Sequence, residues 1–480
     1  MSTTGSRTLL LFNYDWDSVG HARVAAAQGL ALDEAGFDLF SFPSNANLAW
    51  FDMARFVGRL ARKARARGWT AVTSNHEQFG ALAAALLAER MGWPGTPVAA
   101  VLACQHKLYA RQVLQRVAPE ANVDFQLLDA DYGAPIPEGL PYPLFVKPVK
   151  AAFSVLAREV RDHADLHRHT RFGVWELWVI RRLVEPFERL ARERLPPCPV
   201  AGTVPSAHRM LLEAPVQAEQ FNLDGYVFGG QVHMLGVVDA VMYPGTQAFM
   251  RFEMPSKLAA GVQARALDVA RRFLEAVGFT HGMFNLEFFY DAPSDRLTVI
   301  EFNPRMAAQF SDLYLRVRGI DLHALSMALA HGQDPATVPV AAAVDGAAAS
   351  FVYRLFDARE VVHQPDAHQQ RQFAREFPGG LLFCFPKPRG SMARDFKWLG
   401  SYRYGIVHLG GRDAADLRAR CESASALLQW PAPFADPAAP VAGPTDTVPV
   451  PGRMRASRPG EAALGDSLGA ATVLPSVTPG

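Results

Sequence analysis

One segment, HGMFNLEFFYDAPSDRLTVIEFNPRM at residues 281–306, constrains the fold of this 480-residue chain more than any other. Two apolar runs flank the polar turn DAPSDR, the pattern of a β-hairpin. If Glu287 lies opposite Glu301, both carboxylates share one face, and Asn303, two residues on, joins them there. Like charges set opposite each other destabilise a sheet, so something cationic is expected between them. Two carboxylates and an amide oxygen form a hard, all-oxygen set, suited to Mg2+ or Mn2+ held jointly with substrate phosphates. Arg305 projects from the same end and is expected to bind a phosphoryl group or an oxyanion. The plain alternative is an exposed hairpin with solvated acids, but such strands usually set Lys or Thr against them.

The first hundred residues alternate between the two periodicities. Residues 8–12, 37–41 and 69–74 read as strands, and 22–35, 54–68 and 77–91 as helices. That alternation implies βαβ units on a parallel sheet, whose ligands bind beyond the carboxyl ends of the strands. Residues 74–77 (SNHE) fall at such an end, although Asn75 could equally cap the next helix. A compact strand, LFVKPV, covers 144–149, and 155–210 is mostly helical and charged. Period-2 stretches broken by AspGly and GlyGly turns run through 210–303. Ten of the 35 prolines but only one aromatic, Phe434, fall in 431–480, which predicts a disordered Pro/Ala-rich tail.

Lys and Arg number 48 against 47 for Asp and Glu, a balance unlike that of a chain built to coat nucleic acid or an anionic membrane. Cys104, Cys198, Cys384 and Cys421 form no CxxC pair and read as reduced thiols. Leu9 to Phe12 is too short an apolar run for a signal peptide, and no stretch approaches the roughly 18 apolar residues of a membrane span. A cytoplasmic protein is expected. His163 and His167 have metal-ligand spacing on a helix, but Arg161, Arg168 and Arg171 beside them favour a solvated basic face. The apolar, aromatic helix around 175–190 reads as core, with an active-site cover or a dimer contact as the other options.

The hairpin EFFYD…LTVIEFNPR resembles the metal-binding hairpin of the ATP-grasp superfamily, and residues 8–430 follow that family's order. HKLYARQVL (106–114) resembles its first ATP-lysine segment, with Lys107 at the key position, and FVKPVKAAFSVL (145–156) its second, with Lys147. LLEAPVQAEQFNLDGYVFGGQV (211–232) resembles the adenine hinge, with Glu213, Ala214 and Val216, followed by a ribose-contacting acid, Glu219. GSYRYGIVHLGGRDAADLRAR (400–420) resembles the closing module of the biotin-carboxylase-like and amino-acid-ligase branches. The resemblance implies an α/β plus α+β fold: an N-terminal parallel sheet domain (1–103), a two-lobed ATP-grasp domain (104–335) with a helical insertion (155–210), and a small α+β module (336–430).

It also implies a site. ATP would meet Lys107, Lys147 and Ser154, Mg2+ would meet Glu287, Glu301 and Asn303, and Arg305 and Arg251 would meet the anionic reactants. Two departures are visible: the loop 150–154 (KAAFS) has no glycine, which predicts stiffer closure, and Met306-Ala307-Ala308 follows NPR where glycines are common. The activity implied is ATP-dependent joining of a small-molecule carboxylate to an amine through an acyl phosphate. A bicarbonate-phosphorylating, biotin-carboxylase-like enzyme and a non-catalytic ATP sensor are the alternatives. The mostly apolar stretch 233–252 lacks the charged cluster that a biotin site needs, and a sensor has no use for two metal carboxylates. Dimers are common in the family.

Overall fold

The computed structural model describes residues 6–39, 43–151, 155–197, 206–357, 359–387 and 389–434. Ser154, Cys198 and the expected tail from 435 onward lie outside them.

A parallel three-stranded sheet opens the chain, formed by β1 (Arg7–Leu11), β2 (Ala31–Ala35) and β3 (Trp69–Thr73) in the order β2-β1-β3. Helices α1 (Asp15–Gln28), α2 (Met53–Arg67) and α3 (Gly80–Met91) accompany it. In α2 the apolar residues Met53, Phe56, Val57, Leu60 and Ala64 fall on one face and are buried, while Asp52 caps the start and Gly68 ends the helix with φ 69°. The helix expected over 22–35 divides in two. Gly29, at φ 65°, terminates α1, and the ALDEA segment pairs with β1 as β2. Consequently 37–39 form no strand, and Glu77 sits in the loop before α3, where Asn75 caps nothing.

Helices α4 (Val98–Gln105) and α5 (Lys107–Val117) lead into an antiparallel four-stranded sheet. Its strands are β4 (Phe125–Leu128), β5 (Leu144–Pro148), β6 (Arg158–Val160) and β7 (Met210–Glu213), in the order β4-β7-β5-β6. Helices α6 (His163–Thr170) and α7 (Val174–Arg194) lie between β6 and β7. His163 and His167 are exposed on α6, as a basic solvated face requires. Most of the inward residues of α7 are core, but Val174 and Trp175 at its start are exposed, and Trp175 stacks on Trp178 at 4.7 Å.

The third sheet is antiparallel and eight-stranded: β8 (Glu219–Phe228), β9 (Gln231–Met242), β10 (Phe249–Met254), β11 (Gly282–Asp291), β12 (Arg296–Asn303), β13 (Ala347–Leu355), β14 (Leu381–Cys384) and β15 (Tyr402–Gly411). The order is β12-β11-β8-β9-β10-β13-β15-β14, so β13–β15 extend the hairpin's own sheet through the β10–β13 pairing. One face packs on α8 (Ala260–Ala276), where Phe273 stacks on Phe302 at 3.8 Å. The other meets α9 (Ser311–Arg318) and α10 (Leu322–Ala330), which lead back to the N-terminal sheet. Helices α11 (Ala367–Glu376), α12 (Arg389–Leu399) and α13 (Ala414–Leu428) complete the chain, with α13 on the α8 side against β13 and β15. Among the described residues no helix is long and apolar enough to cross a membrane.

Candidate active site

The hairpin register is the one expected: Glu287 pairs directly with Glu301, and Asn285 with Asn303, with a bulge immediately after Glu287. All four side chains share one face because alternate residues of a strand point the same way. The Asn303 amide nitrogen lies 3.1 Å from Glu287 Oε1 and 3.2 Å from Asn285 Oδ1, which leaves its carbonyl oxygen to face a cation. Asn285 in turn donates to Asp224, as does the Tyr314 hydroxyl at 3.0 Å. Burial lifts the Asp224 carboxyl to about 7 despite these donors.

Lys107 opens α5 and projects its ammonium to 3.2 Å from Glu301, which ties the helix to the large sheet. The two facing acids therefore divide their roles. Glu301, beside the Lys107 and Lys147 cations, is held below the usual carboxylate range despite burial. Glu287 is pushed well above it, by burial first and by the Glu301 charge second. The all-oxygen donor set of Glu287, Glu301 and Asn303 on one face fits a hard divalent cation.

Lys147 comes from β5 of the small sheet and sits 2.9 Å from Glu213 and 3.4 Å from the Ile300 carbonyl on β12. Burial, and after it the charge of Arg111, which shares the same carboxylate from 2.6 Å, lower it to about 8 against the pull of Glu213. Arg111, which sequence reasoning passed over, also donates to the Val299 and Ile300 carbonyls and so joins α5 to the hairpin. Glu213 thus neutralises two buried cations at the end of β7. The connection to β8 that follows it carries Ala214, whose amide bonds to the Asp124 carbonyl, and Val216. Lys150 is also buried, 3.2 Å from Gln105, and burial lowers it to about 7.

Two candidates are not brought in. Glu219 is exposed and ion-pairs with Lys257; Gln220, the next residue, is the one that shares the face of Glu287 and donates to it at 3.0 Å. Arg251 lies on the opposite face of the sheet from Glu287, bound to Glu253 at 2.6 Å and stacked over Phe434 at 4.6 Å. Its neighbour Phe252 points to the site side instead, so strand alternation alone turns Arg251 away.

Arg305, just past β12, meets Glu77 from the N-terminal sheet at 2.8 Å. Residues 74–77 therefore do reach the site. Tyr14 stacks on His76 at 5.1 Å and on Trp16 at 5.2 Å, forming an aromatic wall beside this ion pair. Beyond Trp16 lies Arg403 of β15, half-buried and stacked at 4.5 Å over Phe385, with no hydrogen bond or ion pair among the described residues.

An N-terminal parallel sheet, a small antiparallel lobe and a large sheet bearing the acid hairpin make up the ATP-grasp fold, and the chain has that fold. It is similar to the L-amino acid ligase from Bacillus licheniformis, with a TM-score of 0.63 and 15% identity over 89% of this chain and 98% of that one. It is also similar to the biotin carboxylase from Campylobacter jejuni in its complex with β,γ-ATP, with a TM-score of 0.56 and 15% identity over 88% and 91% of the two chains. Among curated proteins, carnosine synthase 1 of Gallus gallus is 29% identical over 264 residues, 52% of this chain. That match spans only 26% of the relative's length. No family model matches the chain.

Proposed function

We propose that this protein is an ATP-dependent carboxylate–amine ligase, forming an amide or peptide bond through an acyl phosphate and releasing ADP and phosphate. The observation that carries the reading is the convergence of Glu287, Glu301 and Asn303 on one face beside Lys107, Lys147 and Arg305. In this reading the connection at Ala214 and Val216 receives the adenine, and Lys107 and Lys147 neutralise the nucleotide phosphates as point charges. Glu287, Glu301 and Asn303 hold Mg2+, which supplies charge neutralisation for phosphoryl transfer.

The rest follows from the chain's own groups. A carboxylate is a poor electrophile, and phosphorylation provides its leaving group. Arg305 binds the substrate carboxylate and then the tetrahedral oxyanion, with Glu77 fixing the guanidinium. Arg403, with no ion pair among the described residues, offers a second guanidinium at the far end of the Tyr14–Trp16 wall, suited to the spare carboxylate of an amino-acid substrate. The names of two similar proteins, an amino-acid ligase and a carnosine synthase, support the same substrate class.

The test is phosphate release from ATP and Mg2+ with pools of amino acids. Release that requires two added substrates, with a new amide found by mass spectrometry, supports the ligase. Release that requires only bicarbonate would transfer the assignment to a carboxylase, and nucleotide binding without release in any pool to a sensor.

A further inference from the structure

Away from the phosphate-facing acids, three buried side chains from distant parts of the chain meet between α1 and α10. Asp17 and His21 stand one turn apart on α1, and His323 lies in the first turn of α10. They are 1%, 3% and 0% exposed, and a ligand atom from each lies within 4.8 Å of the other two. His323 Nε2 is 3.0 Å from Asp17 Oδ1, and the two imidazoles meet edge to face at 4.8 Å.

As a hydrogen-bonded core cluster this set is incomplete. His21 Nδ1 is 3.1 Å from Asn13 Oδ1, whose own amide nitrogen donates to Ser18 and Glu34. That arrangement fixes the His21 proton on Nδ1 and leaves Nε2 a bare lone pair. Neither His21 Nε2 nor His323 Nδ1 has a hydrogen-bond partner among the described residues. Buried polar atoms are nearly always satisfied, so the orphaned Nε2 of His21, beside the paired His323 and Asp17, needs an explanation. Gly20 adds a second sign of construction: a Cβ there would lie 2.1 Å from His323 Nδ1, so the ring occupies space that only glycine leaves open.

We propose that Asp17, His21 and His323 bind a structural Zn2+. Two imidazoles and a carboxylate suit zinc, and a metal-bound histidine ordinarily has its other nitrogen held by an acceptor, as Asn13 holds His21. Ligand atoms around one zinc stand about 3.3 Å apart, so binding would draw the three side chains closer together around the ion and leave a fourth position for water. The ion would lock α1 to α10, beside the Arg23–Asp321 ion pair at 2.9 Å. Through Asn75, which donates to Asp17 at 2.9 Å, it would also steady the segment carrying Glu77.

The experiment uses the full chain and needs no ligase activity, so it stands or falls apart from the proposed reaction. Protein purified from zinc-supplemented cells and freed of loose metal by gel filtration should hold about one zinc per chain by plasma mass spectrometry. Asp17→Asn and His21→Leu should lose it, and Glu287→Gln should keep it. Chelator-stripped wild type should regain thermal stability with zinc, and with cobalt show the strong visible absorption of a tetrahedral site, even if a variant fails to fold. Stripped wild type that takes up neither metal overturns the proposal. So does a His21→Leu protein that keeps its zinc.

Discussion

The guanidinium of Arg305 lies 2.8 Å from the carboxylate of Glu77, across 228 residues of sequence and between two different sheets. The side chains are 14% and 8% exposed, so the contact couples the N-terminal domain to the end of the acid hairpin where little water screens it. Each partner alone would be a buried, uncompensated charge.

Glu77→Gln is accordingly expected to destabilise the protein by about 3 kcal/mol in urea unfolding. Arg305→Lys keeps the charge but loses the planar fork, and turnover should fall roughly 100-fold with little change in the ATP Kd. A matching loss of ATP affinity would move Arg305 from the acyl end to the nucleotide end.

Glu287→Gln should lower nucleotide turnover at least roughly 100-fold. In magnesium-free buffer the same variant should melt no lower than wild type, since it replaces a carboxyl that the folded protein already holds in its neutral form. Melting curves with and without Mg2+ separate the two effects.

The pH response follows from the same pair. Glu287 holds its proton in the folded state at pH values where the unfolded chain has lost it. Its contribution to stability is full below the ordinary carboxylate range and is lost as pH climbs through the raised folded value. Cation binding runs the opposite way, because it needs the ionised acid. Lys150 and Lys147, lowered by burial to about 7 and about 8, lose charge as pH rises. Titration of nucleotide affinity with Mg2+ present should therefore give a bell, with its alkaline limb moved by Lys147→Arg.

Glu213 neutralises Arg111 and Lys147 at 2.6 and 2.9 Å while only 5% exposed. Glu213→Gln leaves two buried cations short of a counterion and should cost about 3–5 kcal/mol, read as a lowered denaturation midpoint.

Arg251→Ala and Glu219→Gln should leave turnover within about twofold, because neither side chain shares the face of Glu287. Arg251→Ala should still lower stability by about 1 kcal/mol through its lost stacking on Phe434.

Local pattern carried the hairpin, the pairing of Glu287 with Glu301, the buried Lys147 and the alternating N-terminal elements, because strand periodicity and turn chemistry act over a few residues. The split of 22–35 at Gly29 was also local, but an amphipathic helix reading overrode the glycine stop. Tertiary structure alone decided the rest. Which of Glu219 and Gln220 faces the acids depends on strand registry, and whether Arg251 shares their face depends on how β10 pairs into the large sheet. The Glu77–Arg305 pair and the Asp17–His21–His323 cluster join residues 228 and 306 positions apart. No spacing rule reaches that far, since only the packing of α10 and the hairpin end against the N-terminal sheet brings those groups within bonding distance.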